Sequence, residues 1–134
     1  MTVPFIVPAY AGVLALVYLA LSLRVSQLRR RGQVAVGSGQ DRFLLRAIRA
    51  HANFGEYVPL ALILLGFLEM QRGSAILLHA LCLLLLFGRL AHAFGISREP
   101  DLMPLRAVGM LATYVVLIVP AIVLIADWSR AAAL

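Results

Sequence analysis

Polar and apolar residues are sharply segregated along this chain. Residues 4–23, 43–70, 75–95 and 104–126 are dominated by Leu, Val, Ile, Ala and Phe, and the stretches between them are short and polar. Each run reaches the roughly 20 residues that a helix needs to cross a bilayer. The pattern predicts an all-α fold, an integral membrane four-helix bundle, with residues 1–134 as one domain. The first run reads as a span and not a secretory signal. No positive charge precedes it and no small-x-small cleavage site closes it. Pro4 and Pro8 sit near its start, where a helix tolerates proline. Glycine-rich residues 32–41 predict a loop, residues 69–74 a short turn with Ser74 as N-cap, and residues 96–103 a second loop. Pro104 opens the fourth span, and Pro59 and Pro120 are expected to bend the spans that contain them.

The second span breaks the pattern. Its first half carries Arg42, Arg46, Arg49, His51, Asn53 and Glu56. Charges inside hydrocarbon are costly, by a few kcal/mol each on insertion scales. At about 100° per residue, Arg42, Arg46, Arg49, Asn53 and Glu56 share a stripe roughly 80° wide, while His51 lies roughly 140° from Arg46. The remaining faces are apolar. The stripe is expected to form one wall of a polar site inside the bundle. Arg89 and His92 in the third span are three apart and share a face. Arg106, Gly109 and Thr113 lie along one side of the fourth.

Composition sharpens this picture. The chain is 63% hydrophobic and 13% charged, with a net charge of +6. Every basic residue is arginine. In a soluble domain that charge would suggest nucleic acid; beside four apolar spans it reports orientation in a bilayer. Arg24, Arg29, Arg30, Arg31, Arg42, Arg46 and Arg49 flank the first loop, and Arg89, Arg98 and Arg106 flank the third. Only Arg72 and Arg130 lie at the opposite ends. The positive-inside rule therefore puts loops 1 and 3 in the cytoplasm and both termini outside. The stripe, the Arg89/His92 pair and Arg106 then converge at the cytoplasmic end. Arg24 and Arg29–Arg31 read as topology anchors. Arg98, Glu99 and Asp101 read as a solvated loop, His79 as a packed or interhelically bonded histidine, and the lone Cys82 as a small buried hydrophobe.

Several arginines, two histidines, an asparagine and a glutamate suit a ligand bearing several carboxylates and an amine. Guanidinium binds carboxylates bidentately and stabilises a developing anion, and asparagine both donates and accepts. Neither a Ser-His-Asp order nor a phosphate loop is present. The histidine and carboxylate spacings do not assemble a metal site. The same side chains also suit an internal network that only ties helices together.

Residues 46–59, RAIRAHANFGEYVP, resemble the signature of the MAPEG family, membrane-associated proteins in eicosanoid and glutathione metabolism. Gly88-Arg89-Leu90-Ala91-His92 is similar to the end of that family's third helix, and Pro104-Leu105-Arg106 to the start of its fourth. The first motif is specific, the other two are short, and the likeness covers nearly the whole chain. It implies a homotrimer in a bacterial inner membrane, with glutathione held between subunits near the cytoplasmic face. By position, Asn53 and Glu56 would contact the tripeptide, with Arg49 and His51 nearby and Arg89 and His92 contributing from the third span. Arg106 would stabilise the thiolate, and Arg24 would reach the site from the adjacent subunit.

Three positions depart from the family's pattern. Ile96 stands where many glutathione-using members carry tyrosine, Ala107 where some carry serine, and Ala52 where some eicosanoid enzymes carry arginine. Each departure removes a contact to glutathione or its thiolate and brings the chain nearer the short bacterial branch. The function the resemblance implies is glutathione-dependent transfer or peroxide reduction on lipophilic electrophiles. The alternative is a non-catalytic lipid-binding or scaffold protein of the same fold. A small four-helix exporter ranks third, because it needs an unpaired carboxylate at mid-membrane and Glu56 is expected to be surrounded by arginine.

Overall fold

The computed structural model describes residues 3–71 and 73–133, so Arg72 and its place in the arginine tally lie outside the described residues. Four helices follow in order: α1 (Ile6–Gly32), α2 (Arg42–Met70), α3 (Ala75–Ser97) and α4 (Met103–Ala132). The described residues contain no strand. All four helices are long and apolar enough to cross a membrane. α1 runs on past the apolar span through Arg24 and Arg29–Arg31 to Gly32, so the first arginine group is helical rather than part of a loop. Gln33 closes it in a left-handed conformation at φ 52°, and Val34 N–H donates to Arg29 O at 3.0 Å. That is a helix C-terminal closure with basic side chains in the last turn, where the macrodipole favours them.

α2 packs on α1 and α3, and α4 packs on α2 and most extensively on α3. The core is aliphatic: Leu14 of α1, Phe54, Ala61 and Leu65 of α2, Leu78, Cys82 and Leu85 of α3, and Val116 of α4. α3 and α4 cross with their backbones almost touching. A Cβ at Gly88 would meet Ala112 Cβ at 2.8 Å, and one at Gly109 would meet His92 N at 2.8 Å as well as the Gly88 carbonyl. Small residues at such crossings let membrane helices gain dispersion contact that lipid cannot supply.

The expected cap at Ser74 is not made, and Asp41 supplies one that was not expected. Ser74 occupies the N-cap of α3, but its hydroxyl makes no capping bond. Asp41, at the N-cap of α2, accepts from Phe43 N at 2.8 Å and Leu44 N at 3.1 Å. The start of α1 is capped from a distance. Glu69 of α2, 8% exposed, accepts from Phe5 N at 2.7 Å, Ile6 N at 2.6 Å and Val7 N at 2.9 Å. Its carboxylate thus satisfies backbone donors that the helix itself leaves open, at the positive end of the dipole. His79 accepts from or donates to Tyr10 hydroxyl at 3.0 Å across α1 and α3, an interhelical bond as expected.

Two substitutions test this packing. Gly109→Ala should force α3 and α4 apart and destabilise the bundle by about 1–3 kcal/mol, the usual cost of overpacking. Gly66→Ala, where an added Cβ meets nothing within 4 Å, should leave the melting temperature in detergent unchanged. Equal melting shifts for both variants would contradict the close crossing.

Candidate functional site

Asp41 fixes where α2 begins, and with that the direction in which its stripe faces. Leu44, Ala47, Ala50 and Phe54 are buried, which turns Arg42, Arg46 and Arg49 to the other side. The α3–α4 connection folds back onto them. Leu102 N–H donates to Gly95 O at 3.3 Å, and Arg106 N–H to Leu102 O at 3.2 Å. Gly95 permits this approach, since a Cβ there would lie 3.0 Å from both Arg106 Cγ and Leu102 O.

The result is a cavity of about 390 Å³ bounded by Arg42, Leu45, Arg46, Arg49, Ile96, Glu99, Asp101 and Arg106. Arg42 Nη1 pairs with Glu99 Oε1 at 3.3 Å, and Arg46 Nε lies 3.6 Å from Glu99 Oε2. Arg46 Nη1 lies 3.5 Å from Asp101 Oδ1, while Arg106 Nη1 donates to Asp101 Oδ2. Arg46 also donates to the Ile96 carbonyl at 3.3 Å. Four guanidinium groups face two carboxylates, which leaves a net charge of +2 around the cavity. These groups are partly solvated, so each pair stabilises the fold by no more than about 1 kcal/mol. Their effect is to hold the arginines in place while leaving donors over. Arg106 Nε is buried without a partner among the described residues, and Arg106 also lines a smaller cavity of about 180 Å³ with His92, Met103, Ala107 and Met110.

Glu99 and Asp101 therefore do not form a solvated loop. They pair with the stripe, because the α3–α4 connection is too short to leave its carboxylates far from the start of α2. The signal for this was present in the sequence: two acidic residues between spans whose ends carry unpaired arginine. Arg98 leaves the cluster and lies over the Phe94 ring, 4.4 Å from its centroid.

Deeper in the bundle lies a second polar group. Arg89 is fully buried. Its Nη2 donates to Asn53 Oδ1 at 2.5 Å and its Nη1 to Thr113 Oγ1 at 3.3 Å, with the Phe54 and Tyr57 rings 5.9 Å and 5.8 Å away. Thr113 Oγ1 donates in turn to Gly109 O at 2.8 Å. His92 Nδ1 lies 3.1 Å from Arg106 O, so the histidine fixes the first turn of α4.

The expected site residues thus separate into groups. Arg49 and Arg106 line the cavity; Asn53 and Arg89 form the buried network; His92 joins α3 to α4. His51 stacks on Tyr18 of α1, with centroids 4.5 Å apart. Glu56 lies on the exposed side of α2 and makes no direct ion pair among the described residues, though its charge acts on the buried Arg89. Arg24 does not reach this cavity within the protomer; its Nη1 donates to Ser97 Oγ at 2.6 Å between α1 and α3. Ile96, in place of a family tyrosine, presents an aliphatic wall to the cavity, and Ala107 a methyl group to the smaller one.

Comparison with known proteins places this geometry. The family model described as MAPEG family matches residues 7–126. "Inner membrane protein YecN" of Escherichia coli K12 is 38% identical over 109 residues, covering 81% of this chain and 82% of that protein. The protein of the same name from Escherichia coli O6:H1 matches to the same extent. No solved structure matches the chain.

The buried network predicts a coupled response. Asn53→Ala removes an acceptor from a buried guanidinium and should cost about 1–3 kcal/mol, and Thr113→Val somewhat less. Because both bind the same group, the double variant should depart from additivity by 0.5 kcal/mol or more. Additive shifts in thermal unfolding would mean that Arg89 does not couple α2 to α4.

Proposed function

The chain belongs to the MAPEG family, and from that premise we propose that it is a membrane-embedded, glutathione-dependent transferase or peroxidase acting on lipophilic electrophiles. The observation that carries this reading is the cavity with net charge +2 beside the ends of α2, α3 and α4. Glutathione offers two carboxylates, one ammonium and one thiol. Arg42, Arg46 and Arg49 suit its carboxylates, and Glu99 suits its ammonium. Arg106, with an unpartnered Nε, is placed to stabilise the thiolate.

A nearby cation lowers a thiol pKa by favouring the charged form. The thiol proton leaves to water at the polar end of the bundle. The thiolate sulfur then forms a bond to the electrophilic carbon of a substrate entering from the bilayer, and the leaving group departs with the bonding pair. On a peroxide, the sulfur attacks one oxygen and the O–O bond breaks, releasing the alcohol. A second glutathione condenses with the resulting sulfenic acid to give disulfide and water.

We place the cavity at the cytoplasmic side, with both termini outside, on the asymmetry of the arginines. Arg49 and Glu56 are both on the exposed side of a membrane-spanning helix, which hydrocarbon does not accommodate. A homotrimer that buries this face between copies accounts for them, and brings Asn53 and Glu56 to the edge of a shared site. Glu56 is also the observation that favours a second reading, a proton-coupled exporter, since it makes no direct ion pair among the described residues. Ile96 and Ala107 favour a third, a lipid-binding or scaffold role.

Calorimetric titration of glutathione into the detergent-purified protein separates these readings. The wild-type protein is expected to bind, and Arg42→Ala/Arg49→Ala, which removes two guanidinium groups from the cavity, to bind at least tenfold more weakly. Arg106→Ala should retain binding but lose the ultraviolet absorption of the bound thiolate at neutral pH. Intact oligomers that bind no glutathione would overturn the proposal in favour of the scaffold reading.

A further inference from the structure

Between α1 and α3 lies a groove of about 500 Å³ that the proposed thiol site does not use. It is bounded by Val17, Ala20, Leu21, Arg24, Leu90, Ala93, Phe94 and Ser97. Its chemistry is graded along its length. From Val17 to Leu21 on α1 and from Leu90 to Phe94 on α3 the walls are aliphatic or aromatic. The polar side chains, Arg24 and Ser97, stand together at one end, bonded at 2.6 Å. Arg98 extends that end over Phe94, a wall residue. No carboxylate lines the groove. Beyond Arg24, α1 continues through Arg29, Arg30 and Arg31, so the polar end points toward the most basic part of the chain.

This is the outline of a single amphiphile. We propose that the α1/α3 groove binds an anionic phospholipid, with an acyl chain along the apolar walls and the phosphate on Arg24 and Arg98. The groove runs about 10 Å along each helix at 1.5 Å per residue, of which the apolar walls make up about 6 Å, enough for the part of one acyl chain next to the headgroup. Arg24 commits one N–H to Ser97 and has others in the same planar fork, the geometry that suits phosphate oxygens. Basic pockets between membrane helices at the cytoplasmic side are a recognised setting for anionic headgroups. A free phosphate would gain nothing from the apolar walls, and a zwitterionic lipid would bring its own cation to the two arginines. Within one protomer none of the groove residues lines the arginine cavity, and lipid retention is read without glutathione, so failure of the lipid inference and failure of the glutathione reading are distinguishable.

Native mass spectrometry of the full detergent-purified chain provides the test. The probes are phosphatidylglycerol, phosphatidylcholine of the same acyl composition, and inorganic phosphate. Phosphatidylglycerol is expected to be retained in clear preference to phosphatidylcholine. Arg24→Gln and Arg98→Gln should each weaken its retention by roughly fivefold. Arg24→Lys keeps the charge and should keep the preference, which separates charge from any effect on folding. Ala20→Leu, on the exposed wall of α1, fills the groove and should weaken both lipids together. Three results would overturn the proposal: equal retention of the two lipids by the wild-type protein, retention of inorganic phosphate as strong as that of the lipid, or a preference that survives Arg24→Gln/Arg98→Gln and disappears in Arg29→Gln/Arg30→Gln/Arg31→Gln. The last would assign it to general attraction by the basic end of α1.

Discussion

A fully buried arginine at the centre of a membrane bundle is the constraint around which this molecule is arranged. Arg89 makes no ion pair among the described residues. Its charge is accommodated by neutral partners from both flanking helices, Asn53 of α2 and Thr113 of α4, and by two aromatic rings. An arginine without those partners would carry the full penalty of a desolvated cation. The network therefore ties three helices into one relative position. The glycine crossing at Gly88 and Gly109 is its counterpart, because Arg89 is adjacent to Gly88 and α4 must approach closely for Thr113 to meet it.

From that anchor outward the polar groups change character. Arg89 and Thr113 are fully buried, with Asn53 half-buried beside them. His92 spans the boundary by holding the first turn of α4. At the bundle end, Arg42, Arg46 and Arg106 share two carboxylates in partly solvated pairs. Such pairs add little stability, but they keep positive charge concentrated without collapsing the cavity. The signature residues divide in the same way within the protomer: Asn53 and Arg89 bond to each other, while Arg49 and Arg106 line the cavity.

Two surfaces of the protomer remain unaccounted for by its own packing. One is the side of α2 that carries Arg49 and Glu56, the face that the proposed trimer would bury. The other is the α1/α3 groove with Arg24 at its end, which calls for a lipid. Both are polar features on membrane-spanning helices, and hydrocarbon alone satisfies neither. At the far end of the bundle, Glu69 answers a similar demand internally, by accepting three backbone N–H groups from the start of α1.

The pattern of apolar runs determined the four helices, their order and their membrane character, since length and hydropathy alone decide what crosses a bilayer. The spacing of Arg42, Arg46, Arg49, Asn53 and Glu56 determined that they share one stripe of α2, because helical periodicity is local. Tertiary structure decided what each of them meets. Asn53 turns to a buried Arg89, Arg46 to Glu99 and Asp101, and Glu56 to no direct ion pair among the described residues. Arg24 turns to Ser97 rather than to the arginine cavity. Partners distant in sequence are set by how helices cross and how a short loop folds back. Those depend on glycine contacts at Gly88, Gly95 and Gly109, whose closeness no periodicity encodes.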